Sequence, residues 1–236
     1  MSDARAFPQY PVNFQLHGVP CLVVGGGAVA ARKITGLLSS GAHVTVVAPE
    51  LVESLRQDPL VRWHQREYRR GEVASYRLAI TATGIESVDA QVYDDARATG
   101  IPINAADDPA RSSFTLPAVV RKGDLQIAIS TNGRSPAMAS WLRRSLESSI
   151  DDHVVATLDL LSEIRQWMKD DGRSTEHPGW HQAFDDGLVT LVGQGRIDEA
   201  RALLTRHLEL DHDGSGHTQA LLDARAPGGG ALEGVS

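Results

Sequence analysis

The run Gly25-Gly26-Gly27-Ala28-Val29-Ala30 stands directly between an apolar stretch, Val19–Val24, and a stretch of helical spacing, Ala28–Ser40. It fits G-x-G-x-x-A, in which glycines allow a tight turn and close backbone approach, and Ala30 lets helix pack on strand. Within Ala28–Ser40, Val29, Lys33 and Leu37 form one i, i+4 row, and Gly41 stops the helix. A strand, a glycine turn and a helix must be followed by a strand lying parallel to the first, joined by a right-handed crossover. The following segments keep that grammar. His43–Val47 reads as a strand cut off by Ala48-Pro49, Glu50–Gln57 as helical, and Val61–Tyr68 as an edge strand. Arg77–Thr81 reads as a buried strand, Ser87–Thr99 as a helix capped by Gly100, and Ile101–Ala105 as another strand. The pattern predicts an open α/β fold with a parallel sheet.

After Asp107-Asp108-Pro109 the grammar changes. Phe114–Val120 and Leu125–Ile129 read as an antiparallel pair joined through Arg121-Lys122-Gly123-Asp124. Ser135-Pro136 opens a helix running to about Ile150, with proline in its first turn. Only helical periodicity follows, over Val154–Lys169, Trp180–Val192 and Arg196–Leu208. The expected organisation is 1–113 as the α/β domain, 114–150 as a small α+β segment and 151–210 as a helical domain. The Gly-, Ala-, Ser- and Asp-rich stretch 211–236 is expected to be disordered.

Charge narrows the function classes. Thirty acidic against 23 basic residues give a net charge of −7, the wrong sign for a nucleic-acid binder. Yet Arg111, Arg121, Lys122, Arg134, Arg143 and Arg144 face only Asp124 within their own window, which suits either a solvated face or a site for a small polyanion. No apolar run reaches the roughly 18 residues that cross a bilayer, and the first residues lack the basic and apolar regions of a signal peptide. The single cysteine, Cys21, has no internal partner, which fits a reducing compartment. A soluble cytoplasmic protein is expected. The nine histidines show no ligand spacing, so no resident metal is expected. Neither a nucleophile-elbow serine motif nor a P-loop is present.

Three constellations carry chemistry. The glycine turn can seat a pyrophosphate on the helix N-terminus, or serve packing alone. The acid that usually ends the second strand and grips a ribose is missing, since the strand ends Val46-Val47-Ala48-Pro49-Glu50. Glu50 or the Pro49-Glu50 backbone can substitute, and no arginine follows to hold a 2′-phosphate, which favours NAD over NADP. Asn104-Ala105-Ala106-Asp107-Asp108-Pro109 falls at the carboxyl end of a strand, where such sheets bind ligands. A carboxylate there serves either as a general base or as a turn former. Ser130-Thr131-Asn132-Gly133-Arg134-Ser135-Pro136 can hold substrate carboxylates through hydroxyls, N–H groups and Arg134, or simply cap the helix that follows.

Four segments, in this order, make the chain resemble the precorrin-2 dehydrogenase / sirohydrochlorin ferrochelatase family, the N-terminal module of siroheme synthase. They are Tyr10-Pro11-Val12-Asn13-Phe14; Val23-Val24-Gly25-Gly26-Gly27-Ala28-Val29-Ala30-Ala31-Arg32-Lys33; Asn104–Pro109 followed by Ser113-Phe114; and Ile129–Pro136. The resemblance implies a homodimer with an NAD-binding Rossmann domain, a central dimerisation segment and a C-terminal helical domain, at the length of the stand-alone enzyme. It implies NAD-dependent oxidation of precorrin-2 to sirohydrochlorin, followed in some members by Fe²⁺ insertion to give siroheme. The essential aspartate of the family maps onto Asp107, as acceptor of a proton. Its NAD contacts map onto Gly27, Ala28, Val29, Pro49 and Glu50. Gly25 in the turn, with Thr83 and Asn104 at later strand ends, completes the expected cofactor set. Arg111, Ser130, Thr131, Asn132 and Arg134 form the expected substrate set. The hydroxyl position of the S-[ST]-x-G-x-S-P loop is Thr131 here rather than serine.

Two other classes compete. A non-catalytic NAD-sensing regulatory module predicts NAD binding without turnover and gives Asp107 and the basic window no role. A chelatase with a vestigial dinucleotide domain is opposed by the intact glycine turn.

Overall fold

The computed structural model describes residues 9–210. The expected disordered tail at 211–236 lies outside them. The chain divides into two compact units, Met1–Pro117 and Ala118–Ser236.

The first unit is an α/β layer structure. Its strands are β1 (Pro20–Val24), β2 (His43–Ala48), β3 (Val61–Gln65), β4 (Leu78–Thr81) and β5 (Ile103–Ala105). Its helices are α1 (Ala28–Leu38), the single turn α2 (Glu53–Arg56) and α3 (Glu86–Thr99). All strand pairs are parallel, in the order β3-β2-β1-β4-β5. The order reverses between β1 and β4, the switch point at which doubly wound sheets open a ligand crevice.

Parallel strands covered on both faces read as unbroken apolar runs. β1 is buried from Cys21 to Val24 and β4 throughout. One face packs Cys21, Val23, Val44, Val46 and Ile80 against Ala30, Ile34 and Leu37 of α1. The other packs Leu22, Val24, Ala79 and Ile103 against Val92 and Ala96 of α3. The apolar contact line of α1 is therefore Ala30-Ile34-Leu37, while Lys33 stands half-buried at its flank. Burial pushes the Cys21 thiol up to about 11, so it is an inert core group at neutral pH.

β3 is an edge strand as expected, but it stops at Gln65. The helix expected over Glu50–Gln57 shrinks to one turn, because Leu51 is buried and the Val52 N–H donates to the Gly26 carbonyl at 2.9 Å. Beyond β5 the chain folds back along the outer edge of that strand. Ser113 Oγ accepts from Ile103 N at 2.8 Å, Ser112 Oγ accepts from Ala105 N at 3.0 Å, and Ser113 N donates to Ile103 O at 2.8 Å. This return path, with Phe114 tilted against Phe14 at 6.3 Å, takes the first four residues of the strand expected over Phe114–Val120.

The second unit opens with an antiparallel hairpin, β6 (Ala118–Lys122) and β7 (Leu125–Ile129), followed by α4 (Pro136–Ser149). Its remaining helices are α5 (Asp152–Asp170), α6 (Gly179–Asp185), α7 (Leu188–Gly193) and α8 (Ile197–His207). Leu160, Ile164, Met168, Leu188, Leu204 and Leu210 fill its core. The single helix expected over Trp180–Val192 is two, because Gly187 takes φ 90°, a left-handed conformation that breaks the run. Arg201 is 2% exposed and meets Glu163 through two hydrogen bonds of 2.7 and 3.0 Å, so its charge is paired within the bundle.

Candidate functional site

The glycine turn is shaped by what passes beside it. Gly25 has φ 115°, and a Cβ there would lie 2.4 Å from the Ala82 carbonyl oxygen, so the loop after β4 rests on it. At Gly26 a Cβ would lie 1.9 Å from the Glu50 carbonyl oxygen, where the loop after β2 crosses. Gly26 occupies an unconstrained position of the spacing, and only this long-range approach reveals its necessity. Gly27 is different, with extended backbone and nothing within 4 Å of the place a Cβ would take. It forms the N-cap of α1 without a side-chain cap, and the first turn holds no acidic residue. The amides of Ala28 and Val29 therefore start a helix whose N-terminal field is not offset by a local carboxylate.

Pro49 and Glu50 are exposed, and the main chain of Glu50 is what meets Gly26. Thr83 has a bracing role that spacing does not suggest. Its Oγ1 and N–H donate to Asp89 Oδ1 at 2.8 and 3.3 Å, and the buried Thr81 hydroxyl donates to the same oxygen. Asp89, in the first turn of α3, thus ties the end of β4 to the loop that lies on Gly25. Aspartate near a helix start gives no sequence signal beyond dipole compensation, so spacing does not single out Asp89.

Asn104 lies on β5 opposite Ile80 and is 7% exposed. Its Nδ2 donates to the Phe114 carbonyl at 3.0 Å, whereas its Oδ1 is buried with no partner among the described residues. An orphaned buried acceptor costs about 1–3 kcal/mol, unusual outside sites that receive a donor.

The two aspartates after β5 separate cleanly. Asp108 Oδ1 accepts from Ala110 N and Arg111 N at 3.0 and 3.2 Å, and Oδ2 accepts from Arg111 Nη1 at 3.0 Å. It is the cap of a 3-10 turn, Pro109–Arg111. Asp107 is exposed, takes no part in those bonds, and is held at φ 63°, a left-handed conformation that aspartate adopts more readily than most residues. Such a setting at a strand end is where backbone strain accompanies function. Lys33 interacts with it electrostatically: burial pulls the Lys33 ammonium below its ordinary range, and the Asp107 carboxylate pushes back. Replacing Asp108 by alanine is expected to cost about 1 kcal/mol through the lost cap. A urea melt should register that loss as a lower midpoint.

Arg111 is less available than expected, since it pairs with Asp108 and also approaches Glu86 Oε1 at 3.4 Å. Other cations of the basic window likewise find partners outside it or beside it. Arg143 meets Glu147 at 2.5 Å and Lys122 meets Asp152 at 3.9 Å. Arg134 is exposed.

In the second unit, residues 130–135 form a self-braced loop between β7 and α4. Ser135 N donates to Thr131 Oγ1 at 3.2 Å, the same hydroxyl donates to Ser135 O at 3.2 Å, and Ser130 Oγ accepts from Asn132 N at 3.2 Å. Asn132 is left-handed at φ 53°. Ser135 Oγ accepts from Met138 N at 3.1 Å and caps α4. Among the described residues, no three His, Cys, Asp or Glu side chains cluster to hold a metal, and no helix is long and apolar enough to cross a membrane.

A family model described as putative NAD(P)-binding matches residues 12–118, and one described as sirohaem biosynthesis protein central matches residues 122–149. The siroheme synthase of Hydrogenovibrio crunogenus is 36% identical over 211 residues, covering 84% of this chain and 44% of the relative. That of Methylococcus capsulatus is 32% identical over 200 residues, covering 82% and 42%. The chain thus spans less than half the length of these relatives. Among solved structures, the precorrin-2 dehydrogenase SirC matches with a TM-score of 0.60 and 25% identity, over 85% of this chain and 100% of that one.

Proposed function

The chain belongs to the siroheme-synthase N-terminal-module family, and from that premise we propose that it oxidises precorrin-2 to sirohydrochlorin with NAD. The observation that carries the reading is the contrast between Asp107 and Asp108: one carboxylate is spent on a cap, while its neighbour is exposed at the sheet's carboxyl edge beside Lys33. The residues present fit the dinucleotide. Gly27 leaves room above an uncapped helix start, and Asn104 Oδ1 has no donor among the described residues.

NAD supplies the hydride acceptor when bound. The chain's residues do the rest. The Gly25–Gly27 turn with the amides of Ala28 and Val29 receives the pyrophosphate, and the loops at Pro49-Glu50 and Thr83, the latter braced by Asp89, border it. Asp107 accepts the proton that precorrin-2 gives up as its hydride departs, which balances the two-electron oxidation. The Lys33 side chain interacts with that carboxylate as a polycarboxylated substrate approaches. Arg111 in the first unit, and Arg134 with Ser130, Thr131 and Asn132 in the second, are the candidates for binding substrate carboxylates. Residues 114–150 serve as the central segment of a homodimer and 151–210 as its helical domain, in a cytoplasmic enzyme. Fe²⁺ is a second substrate in this reading, with Asp107 taking pyrrole protons as iron enters.

The test is an anaerobic absorbance assay with precorrin-2 and NAD, followed by Fe²⁺ or Co²⁺. A sirohydrochlorin spectrum that appears only with NAD supports the dehydrogenase, and a further enzyme-dependent shift on adding metal supports the chelatase. NAD binding with no spectral change would instead favour a sensing module, a reading that leaves Asp107 and Lys33 without a role.

A further inference from the structure

We propose that Asn104 positions the nicotinamide ring, its Oδ1 accepting a hydrogen bond from the carboxamide N–H of NAD; this rests on the NAD-dependent reading above. The residue is only 7% exposed, yet one of its two side-chain polar atoms has no partner among the described residues. The Phe114 carbonyl can only accept, so it fixes Nδ2 on its own side and turns Oδ1 away. Its register neighbour on β4 is Ile80, fully buried and apolar, and the bond to Phe114 accounts for Nδ2 but not for Oδ1.

The topology says which donor reaches it. In a doubly wound sheet the dinucleotide lies across the switch point, here between β1 and β4. Its pyrophosphate belongs over the turn at Gly25–Gly27, and the loops from β2 and β4 touch that turn at Gly26 and Gly25. With the β2 side taken by the adenosine half, the nicotinamide half falls toward β4 and β5, where Asn104 stands three residues before Asp107. The carboxamide is the part of that half which carries an N–H₂ donor. Oδ1 has no surface open to water, so the carboxamide reaches it only as the groups over it shift, and its N–H then supplies the bond that the buried acceptor lacks. The orientation of the carboxamide in turn selects the ring face that is presented to the substrate beside Asp107.

The experiment compares binding of NAD⁺ with 3-acetylpyridine adenine dinucleotide, in which a methyl replaces the amide NH₂, by titration calorimetry on the full chain. The unmodified protein should prefer NAD⁺ by about fivefold to tenfold, the worth of one hydrogen bond. Asn104→Leu should lose that preference, weakening NAD⁺ by a similar factor and leaving the acetyl analogue within about twofold. Equal affinities in the unmodified protein would overturn the assignment even if the leucine variant melts early. Equal losses for both dinucleotides in the variant would overturn it too, reducing Asn104 to support for Phe114. Failure of the unmodified protein to bind either dinucleotide would remove the NAD reading itself, a distinguishable result.

Discussion

Asp107→Asn should lower the rate of sirohydrochlorin formation by about 10²- to 10⁴-fold, the range that a lost general base commands. The substitution is close to isosteric, and asparagine accepts a left-handed φ as readily as aspartate, so the 63° backbone is preserved. The hydrogen bonds that hold the 3-10 turn run through Asp108 instead. The variant should therefore melt with the parent and bind NAD within a few-fold of it. Its defect should sit in kcat, read from the anaerobic appearance of product absorbance. Turnover within about tenfold of the parent would take Asp107 out of the chemistry.

The glycine turn offers the second large effect, as a pair of opposite outcomes at adjacent residues. Gly26→Ala drives a methyl to 1.9 Å from one backbone oxygen and 2.9 Å from its carbon, neither of which can swing aside like a side chain. The β2 loop must move, at a cost of about 3 kcal/mol, visible as a lower urea midpoint. Gly27→Asp should leave stability intact or raise it by a few tenths of a kcal/mol, since aspartate is a good N-cap and open space lies above the position. It should nonetheless weaken NAD binding by about 100-fold, by setting a carboxylate against the pyrophosphate at the helix start. A calorimetric titration beside a melt separates the two. Preserved NAD affinity in Gly27→Asp would move the pyrophosphate off this turn.

Much of the α/β unit is legible in the sequence because parallel strands buried on both faces cannot hide their apolar runs, and glycine stops mark the helix ends. The elements that differ are decided by distant partners. The helix expected over Glu50–Gln57 keeps only Glu53–Arg56, because Gly26 captures the Val52 amide. Phe114 leaves the expected strand because its carbonyl serves Asn104. The same physics divides the site. Candidate residues fixed by local spacing, such as Gly25 and Gly27, can be picked out from the sequence. Gly26 and Lys33 cannot, since each meets a residue far along the chain, Glu50 for one and Asp107 for the other. Asp89 is hidden for another reason: its partners Thr81 and Thr83 lie nearby in sequence, but only the turn into α3 brings it onto their hydroxyls. Residue type alone does not separate Asp107 from Asp108; the resemblance points to Asp107, and the folded chain adds that the Asp108 carboxylate is occupied as a cap. The charge window misleads in the opposite sense, since Glu86, Glu147 and Asp152 supply anions to cations that look unopposed in sequence.

The return of the chain along β5 has a consequence for life in a crowded solution. A parallel sheet ends in a strand whose outward N–H and C=O groups invite a foreign strand to extend it. Here Ser112 and Ser113 occupy the outward amides of Ala105 and Ile103, and the Ser113 amide takes the Ile103 carbonyl. A strand of only three residues is thereby closed to edge-to-edge association without a further strand being added. The two hydroxyls act as gatekeepers against fibrillar growth at the very margin where the sheet must stay open at its carboxyl end to admit a ligand.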